Sequence, residues 1–329
     1  KAVHSIQPVE FEGDGDAGED EPEDEVGMLI GRVGVSGRVG KGRAVDETMR
    51  REVLALDQQY VLPTYARLPL EVVAGQGAEL IGPQGQRYLD FVTGLSVNNF
   101  GHCHPRVVAA IREQAGRLIH CSNLFLTAAQ AQVAERLSAL VGGGRVFFSN
   151  SGAEANECAL KIARKRSTPN GESDVRGDVL FVENSFHGRT MGSQLAGGSP
   201  GLKSWLGDTD PRFVQVPFPD GFRQKDTSFN VFLKTLANKG VDPKNVCGVI
   251  SETFQGCNAT LMPAEYAQSL RKWCNDNRAV MIFDEVQAGF GRTGKMFGFQ
   301  NLGVVPDLAA CGKGLSGGMP VSAVLGTEG

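Results

Sequence analysis

Ala279-Val-Met-Ile-Phe-Asp-Glu-Val-Gln287 is a run of five apolar residues closed by two carboxylates. An unbroken apolar stretch of this length, ended by polar residues, reads as a strand buried on both faces, the habit of a parallel sheet. Asp307-Leu-Ala-Ala-Cys-Gly-Lys-Gly-Leu315 has the same form. Its strand, 307–311, runs out at a lysine bracketed by Gly312 and Gly314. Two buried strands would therefore carry Asp284 and Lys313 to their C-terminal ends.

Working outward, helical and strand patterns alternate. Helices are expected over 47–60, 105–118, 127–141, 152–166 and 263–277, and strands over 145–149, 178–182, 246–251, 279–284 and 307–311. Residues 78–91 read as a hairpin around a Gly-Pro-Gln-Gly turn. Buried strands alternating with amphipathic helices predict an α/β domain with a mostly parallel sheet. No internal repeat is visible.

The chain has 329 residues, 41% hydrophobic and 21% charged, which is globular composition. The net charge of −4 is unevenly placed. Residues 1–25 hold ten carboxylates and one lysine, so the other 304 residues carry +5. That body is no polycation, and nucleic acid is not an expected partner. Residues 1–45 read as a disordered acidic tail followed by a Gly-rich basic stretch, 31–43. That stretch is a flexible linker or a patch that associates with the tail. Asp46 is a candidate cap for the first helix. Seven cysteines, with no C-x-x-C pair, point to a reducing compartment, the cytoplasm. No stretch is long and apolar enough to span a membrane.

An amine and a carboxylate at the ends of neighbouring buried strands suit pyridoxal phosphate chemistry. The amine condenses with the aldehyde, and the carboxylate keeps the pyridine nitrogen protonated. Other motifs are weaker. Arg145 to Glu157 is a strand, a polar turn and a helix start, with Ser151 as N-cap and Gly152 allowing close approach of a phosphate. Alone, Ser-Gly at a helix start is only a cap. In Phe186-His-Gly-Arg-Thr190 the ring suits stacking on a flat cofactor and Arg189 suits a carboxylate. Taken singly, these are a core Phe, a loop His and a surface Arg. Gly289-Phe-Gly-Arg-Thr-Gly-Lys295 imitates a nucleotide loop, but Met296 stands where a P-loop needs Ser or Thr. His102-Cys103-His104 has adjacent side chains ill-suited to tetrahedral metal binding and reads as a turn.

Together these motifs resemble the class III, fold-type I pyridoxal-phosphate aminotransferases, most of all the acetylornithine and ornithine branch. The resemblance runs from Leu62 to Gly326. It includes Gly94-Leu-Ser-Val-Asn-Asn-Phe-Gly-His-Cys-His-Pro105, Ser151-Gly-Ala-Glu-Ala-Asn156, Phe186-His-Gly-Arg-Thr190, Phe283-Asp-Glu-Val-Gln287 with its glycine-rich continuation, and Gly312-Lys-Gly-Leu315. It implies a three-layer large domain over 101–329, with 46–100 the N-terminal segment of a small domain. Lys313 would bind the cofactor aldehyde and carry protons. Asp284 would pair with the pyridinium nitrogen, and Gln287 would reach the phenolic oxygen. Phe186 and Val286 would sandwich the ring, and Gly152 and Ala153, with Ser151 nearby, would hold the phosphate. His187 and Glu252 belong to the same cofactor-binding set, and Arg189 would take the substrate carboxylate.

The implied reaction moves an ω-amino group, from acetylornithine foremost, to 2-oxoglutarate within a homodimer. Ornithine, 4-aminobutyrate or a diamine are alternative donors. Two departures stand out. The family's second glutamate after Glu252 is Cys257 here. The family also continues past the lysine motif with a partner-directed phosphate contact, a carboxylate-binding arginine and most of a small domain. The expectation is a chain incomplete at its C-terminus, for which an inactive cofactor-binding fragment is the competing reading.

Overall fold

The computed structural model describes residues 47–167, 176–207 and 209–327. Readings placed on the acidic tail, the 31–43 stretch and Asp46 lie outside these. The described residues fall into two units. One ends at Pro69 and the other begins at Leu70. Helix α1, Glu47–Tyr60, belongs to the first, where Arg67 pairs with Asp57.

The second unit opens with a meander of β1 (Ala74–Gln76), β2 (Glu79–Ile81) and β3 (Arg87–Leu89). The expected hairpin is its β2–β3 half, turned by Gly82 N donating to Gln86 O at 2.8 Å. Helices α2 (Pro105–Ala115) and α3 (Ala128–Leu140) follow. His102 Nε2 stands 2.6 Å from Asp90 Oδ2, tying the loop before α2 to the end of the meander.

Then come β4 (Arg145–Ser149), α4 (Gly152–Arg166), β5 (Asp178–Val182), α5 (Met191–Leu195), β6 (Phe213–Val216) and α6 (Asn230–Asn238). After them lie β7 (Val246–Glu252), the small ribbon β8 (Phe254–Gln255) and β9 (Thr260–Leu261), and α7 (Ala264–Asn277). The last strands are β10 (Val280–Asp284), β11 (Leu308–Cys311) and β12 (Ser322–Gly326).

Seven strands form one sheet in the order β4-β12-β11-β10-β7-β5-β6. All run parallel except β12, which is antiparallel to both neighbours. The mostly parallel α/β expectation holds, and the mixed strand is an addition to it. β6, α6 and β12 were absent from the sequence reading. β12 follows a glycine-rich stretch with no periodicity of its own.

Strand alternation explains the three layers. Val280 and Ile282 of β10 face a cluster built on Ala155, Ala159 and Ala163 of α4. Met281 and Phe283 face the opposite cluster, with Tyr266, Leu270 and Trp273 of α7 and Phe232 of α6. A strand turns successive side chains to opposite faces, so one apolar run feeds both. The three alanines recur every fourth residue, presenting one small-residue stripe that lets α4 sit close on the sheet. A Cβ on Gly248 would stand 3.2 Å from Ala163 Cβ. Burying a side chain such as Phe283 contributes roughly 1.5–3 kcal/mol.

Candidate active site

Register places the polar groups. Asp284 pairs with Glu252 across β10 and β7, and with Ala310 across β10 and β11. The C-terminal ends of three parallel strands thus deliver Glu252, Asp284 and, just beyond β11, Lys313 to one edge of the sheet. Alternation continues past the apolar run. Asp284 turns toward α4 like Ile282, and Glu285 turns toward the α7 side like Phe283.

Asp284 is nearly fully buried. Its Oδ2 accepts from Asn156 Nδ2 at 2.7 Å and lies 2.8 Å from His187 Nδ1, and its Oδ1 accepts from Val286 N at 2.9 Å. Asn156 Nδ2 also donates to His187 O at 2.8 Å, fixing the loop that carries the imidazole. Buried polar atoms without partners, Asn156 Oδ1 and His187 Nε2, belong to the same cluster.

Glu252 accepts from Phe186 N at 3.0 Å and Gly256 N at 3.2 Å. Burial raises its carboxyl above the usual glutamate range, and the neighbouring Asp284 adds to the rise. Glu285 accepts from Thr253 Oγ1 at 2.9 Å, Gly298 N at 2.7 Å and Phe299 N at 3.0 Å. It anchors the loop after β10 from below.

Lys313 holds a left-handed backbone, φ 43°, which costs a side-chain-bearing residue on the order of 1–2 kcal/mol. Such strain marks a position where the side chain is used. Its Nζ donates to Gln287 Oε1 at 3.0 Å. At the adjoining Gly314 a Cβ would come within 2.3 Å of Asn99 Nδ2 and 3.1 Å of Phe290 Cβ, so a larger residue would displace the Asn99 side chain.

At the start of α4, Ser151 Oγ accepts from Glu154 N at 3.2 Å, while the Glu154 carboxylate accepts from Ser151 N at 2.9 Å. This reciprocal cap occupies the Ser151 hydroxyl. Hydrogen bonds from Asn150 hold the Glu154 carboxyl below its ordinary range. The amides of Gly152 and Ala153 have no acceptor among the described residues. A Cβ on Gly152 would lie 2.7 Å from Val286 Cγ1, so glycine is what lets the two segments meet.

A cavity of about 290 Å³ joins these parts. It brings together Gly152, Ala153, Phe186, His187, Arg189, Glu252, Asp284, Val286, Gln287 and Lys313. Of the residues expected to hold cofactor or substrate, only Ser151 is not among those lining it. Asn156 lines it too and was missed. Its signal was spacing: four residues past Gly152, it lies on the same face of α4. Arg189 lies over the Phe186 ring, its guanidinium carbon 5.4 Å from the centroid. The exposed Cys257 thiol sits by the rim, raised by burial and by Glu252, with Lys313 and Arg189 acting in the opposite sense.

The arrangement fits pyridoxal 5′-phosphate. Paired amides at a helix start suit its phosphate. Phe186 and Val286 stand on the walls of a slot for a flat ring. A buried carboxylate suits a pyridinium, and the one lysine lining the cavity supplies the amine.

The fold and site define a pyridoxal-phosphate transaminase architecture of fold type I. Residues 60–329 match the family model Aminotransferase class-III, and the chain belongs to that family. An acetylornithine aminotransferase of Caldanaerobacter subterraneus subsp. tengcongensis is 40% identical over 277 residues, 84% of this chain and 67% of the relative. One from Methanocaldococcus jannaschii is 41% identical over 272 residues, 82% of this chain and 64% of the relative. The taurine:2-oxoglutarate aminotransferase of Bifidobacterium kashiwanohense, solved in complex with PLP and glutamate, superposes with a TM-score of 0.76 at 30% identity. That match covers 84% of this chain and 65% of the other. The chain therefore spans about two thirds of the length of the proteins it matches.

Proposed function

We propose that the protein transfers an ω-amino group from an amino-acid donor, acetylornithine foremost, to 2-oxoglutarate with pyridoxal 5′-phosphate. The observation that carries this is the meeting of Lys313 and Asp284 in one cavity, from strand ends that the sheet makes neighbours. The acetylornithine aminotransferase names of the two curated relatives above support the choice of donor.

The cofactor, when bound, supplies an electron sink for the electron pair left at the substrate carbon. The chain's own groups do the rest. Lys313 Nζ takes and returns the proton, and Gln287 Oε1 orients it. Asp284, held by Asn156, His187 and the Val286 amide, presents a fixed carboxylate to the pyridine nitrogen. Gly152 and Ala153 donate to the phosphate, with Ser151 keeping the helix start in shape. Glu252 fixes the Phe186 backbone, and Arg189 at the mouth binds a carboxylate through its planar fork.

In this reading 46–100 belongs to a small domain, 101–329 is the cofactor-binding large domain, and the assembly is a homodimer. An apolar groove of about 940 Å³, lined by Ile111, Leu118 and Met319 among others, supports a second copy covering that face. A cytoplasmic setting accords with the free thiols of all seven cysteines. Among the described residues no helix is long and apolar enough to cross a membrane.

The test is the visible absorption spectrum of the cofactor-loaded protein, with acetylornithine, ornithine and 4-aminobutyrate added in turn. Bleaching by acetylornithine, restored by 2-oxoglutarate, is the expected result. A band that no donor alters would refute transamination of these substrates. Cys257 favours a second reading, a different donor, because a neutral thiol at the rim handles substrate charge unlike a glutamate. Bleaching by 4-aminobutyrate alone would select it.

A further inference from the structure

A second concave site lies at the opposite edge of the sheet. Ala279 at the head of β10 lines it, and Asp284 at the tail of the same strand lines the cofactor cavity. The two are on the order of 15 Å apart along the strand. This second cavity, about 480 Å³, is walled by Arg166, Arg176, Arg271 and Arg278, with Asp307.

Part of that charge has a structural use. Arg271 Nη1 is 2.9 Å from Asp307 Oδ2, which also accepts from Met281 N. Arg176 donates to Asn277 O at 2.9 Å and Arg278 O at 3.1 Å, satisfying the end of α7. The ends of α4 and α7 both point here, and each helix C-terminus carries a partial negative charge of roughly half a unit. Among the described residues, one carboxylate and two helix ends still leave roughly two positive charges without compensation.

The remaining guanidinium groups fit that surplus. Those of Arg166 and Arg278 have no acceptor among the described residues. Arg271 Nε is buried without a partner. Arg278 caps α7 in a left-handed conformation, φ 56°, where glycine is the unstrained choice. An arginine at that position, beside three others, is not explained by helix capping alone. Guanidinium forks recognise carboxylate and phosphate oxygens in pairs. The volume exceeds what a single inorganic ion needs and lies within the small-molecule range of about 300–1,000 Å³.

We propose that this arginine-walled cavity is a second binding site, for a small multivalent anion of the organic phosphate class. Arg166 and Arg278 supply the exposed contacts, and Arg176 and Arg271, held by their own hydrogen bonds, supply the floor. The site is distinct from the cofactor phosphate cradle at the start of α4, which lies at the other end of that helix.

The test is calorimetric titration of pyrophosphate into the full chain at constant ionic strength, after the cofactor cradle has been loaded with pyridoxal phosphate and the unbound excess removed by desalting. Arg166→Gln/Arg278→Gln changes two exposed side chains and should weaken binding at least about tenfold, as expected for lost charge-assisted hydrogen bonds. Its melting temperature and cofactor absorption should match the wild type. Arg112→Gln/Arg136→Gln removes the same charge elsewhere on the surface and should leave binding intact. Absence of binding to the wild type, retained binding in the first variant, or an equal loss in the second would each overturn the proposal.

Discussion

His187 Nδ1 and Asp284 Oδ2 lie 2.8 Å apart although 97 positions separate them in the chain. Both side chains are almost wholly shielded from water. A buried carboxylate is costly unless its oxygens are satisfied. His187 and Asn156 together satisfy the one that faces α4. The imidazole is thus a partner of the carboxylate as well as part of the cavity wall.

Removing either partner should loosen the cofactor. Loss of one donor to a buried charged acceptor costs about 1–3 kcal/mol, or roughly five- to 150-fold in affinity. Asn156→Ala and His187→Ala should each raise the dissociation constant for pyridoxal phosphate by a factor in that range, measured by absorbance titration. Unchanged affinity in both variants would reduce the pair to a purely structural role.

Lys313→Ala should leave the melting temperature within a few degrees of the wild type, since among the described residues the side chain bonds to Gln287 alone. Borohydride reduction of the loaded protein should then add no cofactor mass to the chain, and turnover should vanish. Cofactor mass found on the variant would move the attachment point to another lysine.

Gly188 has φ 131° and a Cβ there would come within 2.5 Å of Ala153 Cβ. Gly188→Ala should destabilise the fold by about 1–3 kcal/mol through overpacking and backbone strain. Because Ala153 also lines the cavity, cofactor affinity should fall as well. Thermal melting with and without cofactor separates the two effects. A variant as stable as wild type would contradict the close approach.

Burial pushes the Glu285 carboxyl up to about 7 from 4.5, against the hydrogen bonds it accepts. The folded value lies above the unfolded one. Its contribution to stability is therefore complete below the unfolded value and disappears as pH rises through the folded one. The penalty at alkaline pH is on the order of 3 kcal/mol. The wild-type melting temperature should fall between about pH 5 and about pH 8, and Glu285→Gln should make that fall shallower, with Glu252, raised in the same way, accounting for what remains. Parallel profiles for the two proteins would count against it.

Much of the large unit was legible from pattern. β4, α4 and β5 begin and end where apolar runs and caps placed them. Lys313 and Asp284 were legible because a buried strand with a polar terminus announces what it delivers. Asn156 was not, because a helical asparagine has no local sign that its amide will meet a carboxylate on another strand. Ser151 was read as both cap and ligand-side residue, and the capping box shows its hydroxyl in the first role.

Periodicity and strand-end chemistry, which are local, determined the α/β class, the boundaries of elements such as β4, α4 and β5, and the two residues on which the proposed chemistry turns. Strand order did not follow from them. β12 enters between β4 and β11, against their direction, and so sets the distance between the α4 start and the lysine loop. Only the assembled sheet brings Asp284 beside Asn156 and His187, or gathers four arginines from α4, α7 and the approach to β5. The physical reason is one of range: backbone preference and side-chain alternation act over a few residues, whereas pairing and burial join segments whose separation along the chain carries no signal of their contact.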